Sequence, residues 1–268
     1  MDEQKQRITG AFDLASTTYD APVLRCFDVH ASVLVQKAQI DVSARVLDVA
    51  TGTGKVALAA ARAVGPNGSV IGVDLSEGML AQARRKGGSL PVEFRQMDAE
   101  HLEFEDATFD YALCGFGIFF LPDIVRGVCE MHRVLRPGGR LAFSTWTKRA
   151  FEPMMTMTTT RFERLGIRRI SPPEPWMECS EPEHLLTLLE KGGFQERQSA
   201  STPGGYFIQP EDWWTFLWSS AQRRKVAQLP PDSLERFKAD ILAEVKSIRG
   251  EHGVWLEASA LIGLGRRV

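Results

Sequence analysis

Residues 46–58 read VLDVATGTGKVAL. A β-branched apolar run carries Asp48, a turn with Gly52 and Gly54 follows, and an alanine-rich helical pattern begins at once. Gly52, Gly54 and Ala57 satisfy G-x-G-x-x-G/A between a strand and a helix, and Asp74 ends the next strand 22 residues beyond Gly52. This is the nucleotide-binding turn of a parallel sheet: glycines let a ligand approach the backbone, and the second acid accepts bonds from both ribose hydroxyls. Taken alone, the turn fits a dinucleotide or any other ligand built on adenosine.

Outward from that turn, β-branched runs alternate with helical stretches, the signature of βαβ units. Strands are expected at 45–50, 69–74, 91–96, 109–114 and 139–146, with helices at 54–64, 77–86 and 123–135, the last stopped by RPGG. A further helix starts at a Ser180 cap and ends at Gly192 and Gly193, followed by strands near 195–201 and 257–266. The expected fold is α/β: a Rossmann-like, seven-stranded, mostly parallel sheet with helices on both faces and helical lid insertions. In that single domain, 1–43 supplies N-terminal helices over the cofactor. Residues 44–147, 180–204 and 255–268 make the core, and 148–179 and 205–254 are lids.

Composition narrows the partners. Of 268 residues, 44% are hydrophobic and 25% charged, enough for a sizeable core, and the net charge of −2 argues against nucleic acid. The N-terminus lacks the apolar region of a signal peptide, and YALCGFGIFFLP is too short to span a bilayer, so a soluble cytoplasmic protein is expected. Cys26, Cys114, Cys129 and Cys179 are scattered, which suits small buried hydrophobes rather than disulfides or a metal site. The oligomeric state is left open.

Asp48 separates the candidate ligands. A carboxylate aimed at the turn repels a pyrophosphate and attracts an ammonium. Adenosine joined to a cationic amino acid is S-adenosylmethionine. Asp98, past the third strand, is placed to accept a hydrogen bond from the adenine amine.

VLDVATGTG, VIGVDLSEGML, QMDAEHLEFEDATFD and VCEMHRVLRPGGRLAFSTW, in this order, resemble the class I S-adenosylmethionine-dependent methyltransferases. They are most similar to the branch of the ubiquinone and menaquinone C-methyltransferases, whose opening helix FDLASTTYD also resembles. The resemblance covers about residues 10–147. It implies that Asp48, Ala50, Gly52 and Gly54 hold the methionine end, Asp74 the ribose, Leu75 and Met79 the adenine faces, and Asp98 and Ala99 its edge. Cys114 would face the methionine moiety, Tyr19 would close over the sulfonium, and S-adenosylhomocysteine would be the product. The chain departs from the branch at FGIFF (116–120) and at SPPEPWMECSEPEHL (171–185), so the likeness speaks for the cofactor rather than for a quinone acceptor.

The acceptor is expected over the carboxyl ends of the strands, among Phe116, Phe119, Phe120, Trp146, Trp176, Trp213, Trp214 and Trp218. The three tryptophans at 213–218 also suit plain packing of a lid onto the sheet. An apolar lining selects a small hydrophobic or aromatic metabolite, methylated on oxygen or carbon. Displacement at an activated sulfonium mainly needs positioning, and no catalytic constellation stands out; His30, His252 and Tyr19 are the weak candidates. His101 and His132 read as structural or surface residues. Two rivals are a cofactor-binding protein on the same scaffold that transfers no methyl, such as a pericyclase or ligand binder, and an NAD-dependent oxidoreductase.

Overall fold

The computed structural model describes residues 3–167 and 179–268. Strands β1 (Arg45–Val49), β2 (Ser69–Asp74), β3 (Val92–Gln96), β4 (Phe109–Gly115) and β5 (Leu135–Trp146) run parallel. β6 (Gln195–Thr202), a separate ribbon of β7 (Gly205–Ile208) with β8 (Val254–Glu257), and β9 (Ala260–Arg266) complete the set. The main sheet has seven strands in the order β3-β2-β1-β4-β5-β9-β6, with β9 antiparallel to both neighbours. The order reverses between β1 and β4, which opens a crevice at their carboxyl ends.

Helices α1 (Glu3–Ala15), α2 (Cys26–Ala38), α3 (Lys55–Val64), α4 (Glu77–Gly87) and α5 (Ile124–Val134) precede the inserted part. Beyond it come α6 (Met154–Arg164), α7 (Pro182–Lys191), α8 (Pro210–Ser219), α9 (Arg223–Val226) and α10 (Pro231–Ser247). Strand alternation sorts the core into two layers. Val46, Tyr111, Leu113 and Ala142 pack with Leu34, Ala57 and Ala61 of α2 and α3. Leu47, Ala112, Leu141 and Phe143 belong to the opposite layer with Val128, Met131 and Leu188 of α5 and α7. The same alternation turns Asp48 toward α3 and Cys114 toward the other side.

The inserted helices join that second layer. Phe162 of α6 stacks on Phe237 of α10 with ring centres 4.5 Å apart, and Arg161 bridges Asp240 at 2.6 Å and also Glu244. Trp213 of α8 is fully buried and donates its indole N–H to Thr158 Oγ1 at 2.9 Å. Both Ala50, just past β1, and Phe116, just past β4, adopt left-handed backbone (φ 55° and 54°). For non-glycine residues this is strained by roughly 1–3 kcal/mol, and both flank the crevice.

Two expectations need correcting, whereas the 123–135 helix ends as read: α5 closes at Val134, and RPGG bulges the chain, with Gly138 at φ 84° between Leu135 and Arg140, which pair with Phe109 and Tyr111 of β4. The Gly138 and Gly139 backbone is tied to Arg267. Ser180 is not the cap of α7; Glu181 sits there without a side-chain cap bond, and Pro182 opens the first turn. The 205–254 segment is not purely helical, because β7 and the start of β8 pair across it.

Candidate functional site

The first cavity lies in the crevice between β1 and β4, with about 1080 Å³ of empty space counted out to its open mouth. Asp48, Ala50 and Gly52 line it from the β1 turn, and Asp74, Leu75 and Met79 from the β2–α4 junction. Asp98 and Ala99 line it from beyond β3, and Tyr19 from the segment after α1. Two expected residues are not in this lining. Gly54 packs instead: at φ 85° it is the N-cap of α3, and a Cβ there would meet Ala83 at 3.0 Å and Phe94 at 3.1 Å. Cys114 is fully buried beneath Gly117, with its thiol pKa raised by burial.

Asp48 organises the turn. Its Oδ2 accepts from the Thr51 hydroxyl at 2.6 Å and from the Ala57 amide, in the first turn of α3, at 2.9 Å. Its Oδ1 is buried without a partner among the described residues, and burial pushes the pKa up to about 7 against the pull of those two bonds. Asp74 accepts from Gly52 N at 2.8 Å through Oδ2 and from Ser76 N at 2.9 Å through Oδ1. One carboxylate thereby ties the glycine turn to the next helix, and burial raises its pKa too.

Sequence reasoning passed over Lys5. Its ammonium, buried under α1, lies 2.7 Å from Asp98 and 2.6 Å from Glu100. Burial works against both charges, yet the pairing raises the lysine pKa and lowers that of Asp98. The other lysine of the cavity, Lys55, is held by Asp28 at 2.7 Å and Asp20 at 3.1 Å. Among the described lining residues no cation balances Asp48 and Asp74. An unpaired carboxylate oxygen beside a glycine turn suits an ammonium and opposes a pyrophosphate, so the donor set fits S-adenosylmethionine rather than a dinucleotide.

A second cavity of about 720 Å³, again including its open mouth, adjoins the first. Phe12, Tyr19, Phe27, Phe116 and Phe120 line both. Phe119, Trp146, Phe151, Met155, Phe216 and Gln222 line the second alone. Phe116 stacks on Trp146 (3.9 Å, 18°) and Tyr19 on Phe27 (5.4 Å, 28°), while Phe12 meets Phe120 edge-on at 4.9 Å. Desolvation raises the Tyr19 pKa, so the phenol is neutral in this setting.

Other candidates fall elsewhere. Trp213, Trp214 and Trp218 line neither cavity: the first is core, and the other two stack on each other with ring centres 5.8 Å apart. Trp176 lies outside the described residues. His30 is buried behind Phe116 and Trp146, its Nε2 2.7 Å from the Ala258 carbonyl oxygen, with burial lowering its pKa. His252 is exposed in the turn before β8, beside Phe207 of β7. Neither histidine reaches the cavities. No helix among the described residues is long and apolar enough to cross a membrane.

Comparison with known proteins points to the same cofactor class. A profile described as a methyltransferase domain matches residues 46–139. The demethylmenaquinone methyltransferase of Staphylococcus carnosus is 37% identical over 141 residues, which are 51% of this chain and 58% of that relative. The aklanonic acid methyltransferase DauC of a Streptomyces species is 32% identical, over 75% of this chain and 97% of its own length. A methyltransferase structure from Thermotoga maritima superposes with a TM-score of 0.58 at 19% identity, covering 97% of this chain and 100% of that one; at this identity it speaks for the fold alone. The chain belongs to the class I S-adenosylmethionine-dependent methyltransferases, on the branch similar to the ubiquinone and menaquinone biosynthesis enzymes, and S-adenosylmethionine is its cofactor.

Proposed function

We propose that this chain methylates the oxygen or carbon of a small hydrophobic, aromatic metabolite in specialised or cofactor biosynthesis. The observation that carries the reading is the pair of adjoining cavities, one edged by acids and one walled by aromatic rings, with five aromatic residues in common. When bound, S-adenosylmethionine supplies an electrophilic methyl group. Asp48 holds its amino end, Asp74 its ribose, Leu75 and Met79 the adenine faces, and Asp98 with the Ala99 amide the adenine edge. Lys5 orients Asp98 for that contact. Tyr19 and Phe116 stand between the cavities and exclude water from the path between donor and acceptor, where positioning and desolvation are the main rate effects. Helices α6 and α8 act as lids over the acceptor, through Met155 and Phe216. DauC acts on aklanonic acid by name, which supports a small-molecule acceptor for this cavity.

The test starts with mass spectrometry of small molecules retained by purified protein, followed by calorimetric titration with S-adenosylmethionine, S-adenosylhomocysteine and NAD. The expected result is binding of the first two and none of NAD. An acceptor screen should then return phenolic, enolic or carboxylic ring compounds; turnover of basic polar amines alone would overturn the reading.

A further inference from the structure

The second cavity has a polar corner in an otherwise aromatic wall. Beyond the Trp146 indole, its described polar side chains are Tyr19, Ser220 and Gln222. Gln222 enters from the bend between α8 and α9, where its backbone amide donates to Ser220 Oγ at 3.3 Å. Its side-chain Oε1 is buried and has no hydrogen-bond partner among the described residues. A buried carbonyl oxygen of this kind is normally paired, and leaving it bare is unfavourable. An amide oxygen only accepts, so its missing partner is a donor. Around it, Phe116 and Trp146 form a stacked pair with Phe151 edge-on to Trp146 at 4.7 Å, a surface that selects flat rings.

We propose that Gln222 is the specificity-determining residue of the acceptor site: it accepts a hydrogen bond from a ring hydroxyl of the acceptor, making hydroxylated planar aromatics the preferred substrate class. This rests on the assignment of the second cavity to the acceptor. The hydroxyl on Gln222 is a handle: held there, the ring has one preferred orientation beneath the shared wall, and a different atom of it faces the first cavity. Rings lacking a donor leave Oε1 bare and bind in several orientations. Gln222 is a positioning group in this scheme and takes no proton from the acceptor.

Equilibrium dialysis against protein loaded with S-adenosylhomocysteine tests this, using 2-naphthol, 2-methoxynaphthalene and naphthalene as probes. The first donates, the second only accepts and the third does neither. The wild type should hold 2-naphthol roughly 2–12-fold more tightly than either other ring, the range for one neutral hydrogen bond. In Gln222→Met, which keeps the side-chain length, that preference should fall to within about twofold, with the naphthalene affinity retained. A preference that survives in Gln222→Met, or a wild type that does not favour the donor, would overturn the proposal. S-adenosylhomocysteine affinity, measured on the same samples, checks that the variant is folded. A wild type that prefers 2-naphthol in dialysis yet transfers no methyl to any hydroxylated ring would count against the proposed acceptor chemistry and leave the Gln222 assignment standing.

Discussion

The two cavities meet at a shared aromatic wall and are built in opposite ways. The first takes its chemistry from strand ends: Asp48 and Asp74 lie at the ends of β1 and β2, where the sheet register fixes them, and Asp98 follows just past β3. The second draws its wall from α1, α2, the end of β4, α6 and α8, brought together only by packing. One is electrostatic and local in sequence; the other is apolar and long-range. The difference teaches that cofactor binding and acceptor choice are separable in this fold, and that they should respond to different mutations.

The sharpest division within the aromatic region is at Trp213. It is fully buried with its indole N–H bonded to Thr158 of α6, so Trp213→Ala should lower stability by about 3–5 kcal/mol. Trp214→Ala should cost well under half of that. Urea unfolding measures both, and a stable Trp213→Ala that had lost acceptor binding would move this residue into the site.

Asp74→Ala separates the cavities directly. Losing the ribose contacts should weaken cofactor binding by about 1.5–3 kcal/mol in calorimetry, the range for hydrogen bonds to a charged group. Naphthol binding in the second cavity should change little. Equal losses at both would mean that the cavities are one functional unit.

A smaller effect concerns pH. With the Asp48 pKa near 7 in the unliganded protein, its proton must leave before an ammonium pairs with it. S-adenosylhomocysteine affinity should therefore fall about tenfold, or about 1.4 kcal/mol, between pH 8 and pH 6, and Asp48→Asn should flatten the profile. The sign for stability is opposite. The folded state holds this proton more tightly than the unfolded chain does, so the contribution of Asp48 to stability declines as pH rises from the ordinary carboxylate range to about 7. Smallest of all, His252→Ala should alter stability by no more than about 0.5 kcal/mol and leave the pH–rate profile unmoved, since His252 is exposed in the turn before β8 and lines neither cavity. A lost alkaline or acid limb would bring it into the chemistry.

The contrast between cavities also explains what was legible in the sequence. Strand, glycine turn and helix are consecutive, so Asp48, Gly52 and Asp74 could be placed from spacing alone. Phe12, Phe27, Phe151, Phe216 and Gln222 could not: an aromatic on a helix has the same pattern whether it faces core or cavity, as Trp213 and Phe216 on one helix illustrate. Lys5 was hidden for a different reason. It lies 93 residues from Asp98, and a lone lysine in a charged N-terminal helix gives no sign of burial. β7 and β8 escaped because each is four residues long and their pairing spans the whole intervening helical segment. RPGG was legible because proline and glycine mark a break: α5 ends at Val134 and Gly138, at φ 84°, bulges the chain before Arg140 joins the ladder.

The most direct test is a crystal structure with S-adenosylhomocysteine bound. The account predicts its amino group on Asp48, its ribose on Asp74, and its sulfur at the Tyr19–Phe116 wall facing the second cavity. Sulfur turned away from that wall, or adenosine lying among Phe151, Phe216 and Gln222, would contradict it.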